Sequence, residues 1–181
     1  MKKILFIIGS LRKDSFNLQL AKEVEGMIKD RAEVSYLDYS NIPFMNQDIE
    51  VPEHTEIKRV RDAVRNTDAI WIFSPEYNYS YPGVLKNLID WLSRPVEAGD
   101  YNTVVVKNVK VTVSNVAGQS AGAGSREKLL ELLGKVGMKV MDSELTGVAL
   151  PKDSWISGKL ILSRENTEQL KRQIDAFLKF I

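Results

Sequence analysis

The sequence predicts a doubly wound α/β protein, a parallel sheet with helices on both faces, and three observations carry that prediction. Residues 3–8 and 69–73 are nearly unbroken apolar runs, the pattern of strands covered on both faces, and the β-branched stretch 110–116 reads as a further strand. Between them lie segments whose apolar residues recur every three or four positions, as on a helix with one buried face. The two kinds alternate along the chain, and parallel neighbours need crossover helices, which pack on the two faces of the sheet.

Taken in order, the first strand (3–8) runs into a polar loop (9–15). Leu20, Val24, Met27 and Ile28 then form a helical stripe, with Lys22, Glu23, Glu25 and Lys29 on the other side. Residues 32–37 read as a short second strand. Asn41-Ile42-Pro43-Phe44 and Val51-Pro52 interrupt regular structure until Ile57, Val60 and Val64 mark a second helix. The third strand (69–73) leads into a loop (75–83). Val84, Leu85, Leu88, Ile89 and Leu92 line the next helix, which ends near Arg94-Pro95 because the residue before a proline is driven out of the helical region. A fourth strand (110–116) opens into the small-residue loop 117–124, followed by a helix carrying Leu129, Leu130, Leu133 and Val136. A fifth strand falls within 139–150, and a last helix (165–180) buries Leu170, Ile174, Phe177 and Leu178. With no internal repeat, low-complexity tract or linker, residues 1–181 are expected to form a single domain.

Composition narrows the function classes. The chain is 44% hydrophobic and 27% charged, ordinary globular values, and 25 Lys and Arg balance 24 Asp and Glu. A net charge of +1 makes no field that would recruit nucleic acid or an anionic membrane. There is no cysteine, which excludes disulfides, thiolate nucleophiles and Cys-ligated metals, so any redox role needs a borrowed cofactor. The apolar run 4–8 is cut too short by residues 9–14 for a signal peptide, and no stretch approaches the roughly 20 apolar residues of a membrane span. The expected location is the cytoplasm.

Ligands of such a sheet bind beyond the carboxyl ends of the strands, which is where the loops after strands one, three and four belong. The first, Gly9-Ser10-Leu11-Arg12-Lys13-Asp14-Ser15-Phe16-Asn17-Leu18, opens a helix and is rich in hydroxyl, amide and guanidinium groups, a composition suited to a phosphate. Its plainer reading is that Ser15 or Asn17 merely caps the helix. Gly9 lacks partner glycines at dinucleotide-fold spacing and no P-loop Lys-Ser or Lys-Thr follows, so a mononucleotide is the better candidate and nucleotide hydrolysis ranks low. The loop after strand three, 74–83, sets Pro75 and Pro82 around Tyr77, Tyr79 and Tyr81. Stiff, flat, polar-tipped groups suit a planar heterocycle, and they equally suit a partner subunit. Gly118, Gly122 and Gly124 after strand four let backbone amides approach a flat ring, or simply make a flexible turn. His54, the one histidine, reads as an ordinary surface residue.

Two stretches resemble the NADPH-dependent FMN reductase family, which includes bacterial chromate, quinone and azo-dye reductases: Gly9-Ser10-Leu11-Arg12 with Ser15, Asn17, Leu20 and Ala21, and Ser74-Pro75-Glu76-Tyr77-Asn78 continuing through 82–91. The resemblance implies a flavodoxin-like five-stranded sheet. It makes Ser10, Arg12, Ser15, Asn17 and Leu18 the FMN phosphate cradle, and has Pro75, Glu76, Tyr77 and Asn78 line the isoalloxazine ring, largely through backbone groups. Residues 114–122, with Ser114, Ala117, Gly118 and Gly122 as the contacts, would close the other side, although many relatives have a denser glycine cluster there. It further implies homodimers or tetramers, with Lys86, Asp90, Trp91 and Arg94 as interface candidates.

By the same resemblance, NADPH or NADH delivers hydride to flavin N5, leaves, and is replaced by a small electron acceptor such as a quinone, azo compound, metal oxyanion or free flavin, giving ping-pong kinetics. No side-chain catalyst is required, which suits a chain with no cysteine, and no metal is expected. The competing class is an FMN-binding electron carrier or regulatory protein without turnover. Carrier flavodoxins are strongly acidic with a Thr-rich first loop, unlike this near-neutral chain with Ser10-Leu11-Arg12.

Overall fold

The computed structural model describes residues 1–181. Its strands are β1 (Lys2–Ile8), β2 (Ala32–Tyr36), β3 (Ala69–Ser74), β4 (Lys110–Ala117), β5 (Lys139–Val140) and β6 (Thr146–Ala149). They alternate with helices α1 (Phe16–Ile28), α2 (Thr55–Arg65), α3 (Gly83–Leu92), α4 (Ala123–Lys135), α5 (Lys152–Ser157) and α6 (Arg164–Phe180). All strand pairs are parallel, in the order β2-β1-β3-β4, and β5 and β6 both pair with the far side of β4. The predicted fifth strand thus occupies one position in the sheet but is broken in two. Asp142, Ser143 and Glu144 fall in the break, and Glu144 takes a φ of 53°, which no continuous strand accommodates.

Alternation along the strands sorts the side chains to two cores. Ile4, Phe6, Trp71 and Phe73 face α1 and α6, where Leu20, Val24, Leu170 and Phe177 meet them. Leu5, Ile7, Ile70 and Ile72 face α2, α3 and α4, against Val60, Leu85, Leu88 and Leu129. This period-two division is why the central runs are apolar at every position. The direction of winding across the sheet reverses between β1, whose crossover leads outward to β2, and β3, whose crossover leads the other way to β4. The crevice beyond Ile8 and Ser74 is therefore the topological switch point.

Two connections differ from the expectation. The β2–α2 connection contains a 3-10 turn at Gln47–Ile49 and is fastened to α3: Asn87 Nδ2 and Trp91 Nε1 both donate to Pro43 O, at 2.9 and 2.8 Å. Trp91 is consequently 1% exposed inside this chain, which removes it from the interface candidates. After β6 the chain forms α5, anchored by Gln19, whose Nε2 donates to Gly158 O at 2.9 Å and whose Oε1 accepts from Leu160 N at 2.7 Å. His54 is the N-cap of α2, its Nδ1 accepting from Glu56 N at 3.2 Å.

Candidate functional site

The first loop leaves β1 at Gly9, whose N–H donates to Phe73 O at 2.8 Å. A Cβ there would lie 3.2 Å from Ser74 Cα and Pro75 Cδ, so glycine lets this loop lie against the end of β3. Ser15 caps α1: its Oγ accepts from Leu18 N at 3.1 Å and its carbonyl from Gln19 N at 3.0 Å. That leaves the amides of Phe16 and Asn17 at the open, electropositive end of the helix. Ser10 Oγ accepts from Arg12 N at 3.3 Å, and the Arg12 guanidinium lies over the Phe16 ring, 5.1 Å from its centroid, with no carboxylate paired to it. Helix amides, hydroxyls and an unpaired cation converge on one end of the crevice.

Two members of the expected cradle are used otherwise. The Asn17 side chain is buried and grips β4, donating to Val116 O at 3.0 Å and accepting from Val116 N at 2.9 Å, while the residue still lines the cleft. The amide of Leu18 is consumed by Ser15, and its side chain turns into a separate groove on the β2 side of the loop.

The loop after β3 supplies the opposite end. Tyr77 and Ser80 pair as a two-residue hairpin, exchanging N–H···O bonds of 2.9 and 3.1 Å, with Asn78 and Tyr79 both at positive φ (50° and 60°). Asn78 therefore stands exposed at the tip of a turn and does not line the crevice, whereas Pro75, Glu76 and Tyr77 do. The backbone N–H and C=O of Glu76 take no intramolecular partner. Its carboxylate is held away from the crevice, accepting from Ser120 Oγ at 2.7 Å and Ser125 N at 2.9 Å at the start of α4. The Ser120 hydroxyl, and then the amides of Ser125 and Gly124, hold this carboxyl below the usual range, and burial only partly opposes them.

At the end of β4, Ala117 and Gly118 line the crevice, while Ser114 and Gly122 do not. Ser114 is fully buried on the α6 side, where its Oγ accepts from Trp71 Nε1 at 3.0 Å and donates to Gln173 Oε1 at 2.8 Å. Gly122 precedes α4 with a φ of 74°, and a Cβ there would stand 2.4 Å from Asn115 Cβ, so its role is close packing. Four lining residues were missed by the sequence reading: Phe16, Val116, Leu150 and Trp155. Trp155, on α5, is 61% exposed and meets the Phe16 ring edge-on at 5.7 Å. A tryptophan after the last strand, at the same sheet edge as the other loops, was the available signal.

The resulting cleft is a partly open depression of about 210 Å³. Its end at the start of α1 carries unused donors and an unpaired cation. Its other end offers flat surfaces at Pro75–Tyr77 and Ala117–Gly118, plus the free amide of Glu76. These residues fit a mononucleotide with a planar base, which defines a nucleotide-binding protein of the flavodoxin-like fold.

Comparison with known proteins agrees. Residues 2–149 match the NADPH-dependent FMN reductase family, and the chain belongs to that family. It is 31% identical over 184 residues to a quinone reductase of Escherichia coli strain K12, spanning 99% of this chain and 95% of that one. It is 42% identical over 96 residues to an NAD(P)H-dependent FMN reductase of Pseudomonas aeruginosa, a match spanning only 52% of either chain. Among solved structures, the flavoenzyme NAD(P)H:(acceptor) oxidoreductase FerB of Paracoccus denitrificans superposes with a TM-score of 0.87 at 28% identity, covering 99% of this chain and 96% of that one. An archaeal flavodoxin, at 13% identity and a TM-score of 0.60, shares the fold.

Proposed function

We propose that residues 1–181 act as one FMN-binding domain that oxidises NADPH or NADH and passes the electrons to small acceptors such as quinones. The observation that carries this reading is the cleft at the switch point, with an unpaired arginine and an open helix end at one side and flat backbone-lined walls at the other. When bound, FMN supplies the two-electron chemistry, accepting hydride from the nicotinamide and returning it to the acceptor. The chain binds and orients. Ser10, Arg12, Ser15 and the amides of Phe16 and Asn17 would hold the phosphate, Trp155 and Phe16 would cover that end, and Pro75–Tyr77 and Ala117–Gly118 would flank the ring. The free Glu76 amide would be available to donate to the ring of a bound flavin, a fixed dipole suited to negative charge on it. The bound carboxylate of Glu76 keeps that amide in place without entering the chemistry.

A reduced nicotinamide donor is met in the cytoplasm, where this reading locates the protein, and no helix is long and apolar enough to cross a membrane. The same reading has the chain working as a homodimer or tetramer. Phe44 and Val51, 84% and 77% exposed on the segment strapped to α3, support an interface there beside Lys86, Asp90 and Arg94, which are already engaged in intrachain ion pairs. Light scattering on the purified protein distinguishes the oligomer from a monomer.

The test of the activity is the visible spectrum of FMN-loaded protein, recorded anaerobically with NADPH and then NADH, followed by a quinone. Bleaching by either nucleotide and recovery with quinone is expected. Flavin that stays oxidised with both would overturn the enzymatic reading and favour a carrier.

A further inference from the structure

The first loop has a second side. Opposite the cleft, Ile8, Ser10, Leu11, Arg12, Lys13, Leu18, Lys22 and the end of β2 from Tyr36 to Tyr39 enclose an open groove. Three of its residues are cations, and none of Arg12, Lys13 and Lys22 is in an ion pair, whereas Arg59, Arg61, Arg65 and Arg94 elsewhere all hold carboxylates. Solvated lysines are ordinary on a protein surface. What distinguishes these is that they rim one concavity with an apolar floor, in a chain of net charge +1. Tyr36 is fixed at one wall, its hydroxyl donating to Glu25 Oε2 at 2.8 Å and its ring edge-on to Phe6 at 5.6 Å, and 39% of it stays exposed as a flat face. Asp38, the one acid of the lining, accepts from Ser40 N and Oγ at 3.0 and 2.8 Å and so is already satisfied.

A flat apolar wall with unpaired cations along its rim matches an adenosine that carries a phosphate on its ribose. Ser10 and Arg12 line both this groove and the cleft, so the two adjoin across a single loop, and an extended dinucleotide held in the groove would run from there along the cleft toward Pro75–Tyr77. Resting on the reading given under the proposed function, we propose that the groove takes the phosphorylated adenosine end of the nicotinamide donor, with Lys13 and Lys22 selecting NADPH over NADH by charge. The attraction is between exposed charges, so it weakens as salt rises.

Direct binding of 2′,5′-ADP and of 5′-AMP to the FMN-loaded protein by calorimetry, paired with kcat/KM for both donors, tests this. The wild type should bind 2′,5′-ADP at least ten times more tightly than 5′-AMP, and Lys13→Gln/Lys22→Gln should remove most of that difference and lower the NADPH-to-NADH ratio of kcat/KM about tenfold. Lys13→Arg/Lys22→Arg should restore both. Equal binding of the two adenosine phosphates, or an equal loss with both donors, overturns the groove assignment while FMN reduction stands. If neither nucleotide bleaches the flavin, the enzymatic reading falls, and the calorimetry still decides whether the groove selects a ribose phosphate.

Discussion

Arg12 on the first loop and Asn17 in the first turn of α1 are five residues apart, and both are polar groups expected at a phosphate, yet the fold uses them differently. Asn17 closes a two-point bond with Val116 and so joins α1 to β4, while Arg12 is left without a charged partner above Phe16. A charge-assisted bond to phosphate contributes about 1.5–3 kcal/mol, so Arg12→Ala should weaken FMN binding by that amount in a fluorescence titration. Asn17→Ala should instead lower global stability, because it strands two buried backbone groups of Val116 at about 1–3 kcal/mol each, and urea unfolding reads this directly. The polar composition of the first loop was legible in the sequence, but which polar side chain turns inward was not. Asn17 and Ser114 are each committed by a partner about a hundred or about sixty positions away, and no local pattern carries that information. Gly122 is the converse case: the sequence suggests a glycine that approaches a ligand, and what it approaches is Asn115. Gly122→Ala places a Cβ in contact with that side chain at a positive φ, and should cost about 1–3 kcal/mol in unfolding free energy.

At the scale of elements, the strands and long helices were readable because their periods are local properties, while α5 and the broken fifth strand were not. Residues 139–150 have a strand-like composition, and the interruption comes from a polar triplet whose backbone turns at Glu144. The capture of Glu76 by the start of α4 likewise joins elements far apart in sequence. Its carboxyl is held below the ordinary value of 4.5, so its stabilisation is complete above that pH and is lost as pH falls through the lower folded value. Glu76→Gln should flatten the acid side of the stability curve and lower stability at neutral pH by about 0.3–1 kcal/mol, the usual size for an anion at a helix N-terminus. Helix α5 offers its own readout. Of the three tryptophans, Trp71 and Trp91 are buried and Trp155 is exposed at the cleft, so FMN addition should quench the red-shifted part of the emission. Trp155→Phe should abolish that part of the change.

For the molecule as a whole, a ligand held only by the folded state shifts the folding equilibrium. FMN at 100 times its dissociation constant should add about 2.7 kcal/mol, which for a chain of this size raises Tm by roughly 5–10 °C. The overall architecture was legible from the alternation of strands and helices, and the switch point follows from it. The second depression beside the first loop was not, since it exists only where β2 lies next to β1 and brings Tyr36 and Asp38 opposite Arg12.

The break in the fifth strand position also governs how copies of the chain can meet. A sheet that ends in a long, straight strand offers its neighbours a row of free amides and carbonyls, and such rows join readily into continuous fibrous stacks. Here the outer border is divided into a piece of two residues and a piece of four, with Asp142, Ser143 and Glu144 standing between them. Neither piece offers a long row of free backbone groups, so that border is guarded against strand-to-strand aggregation.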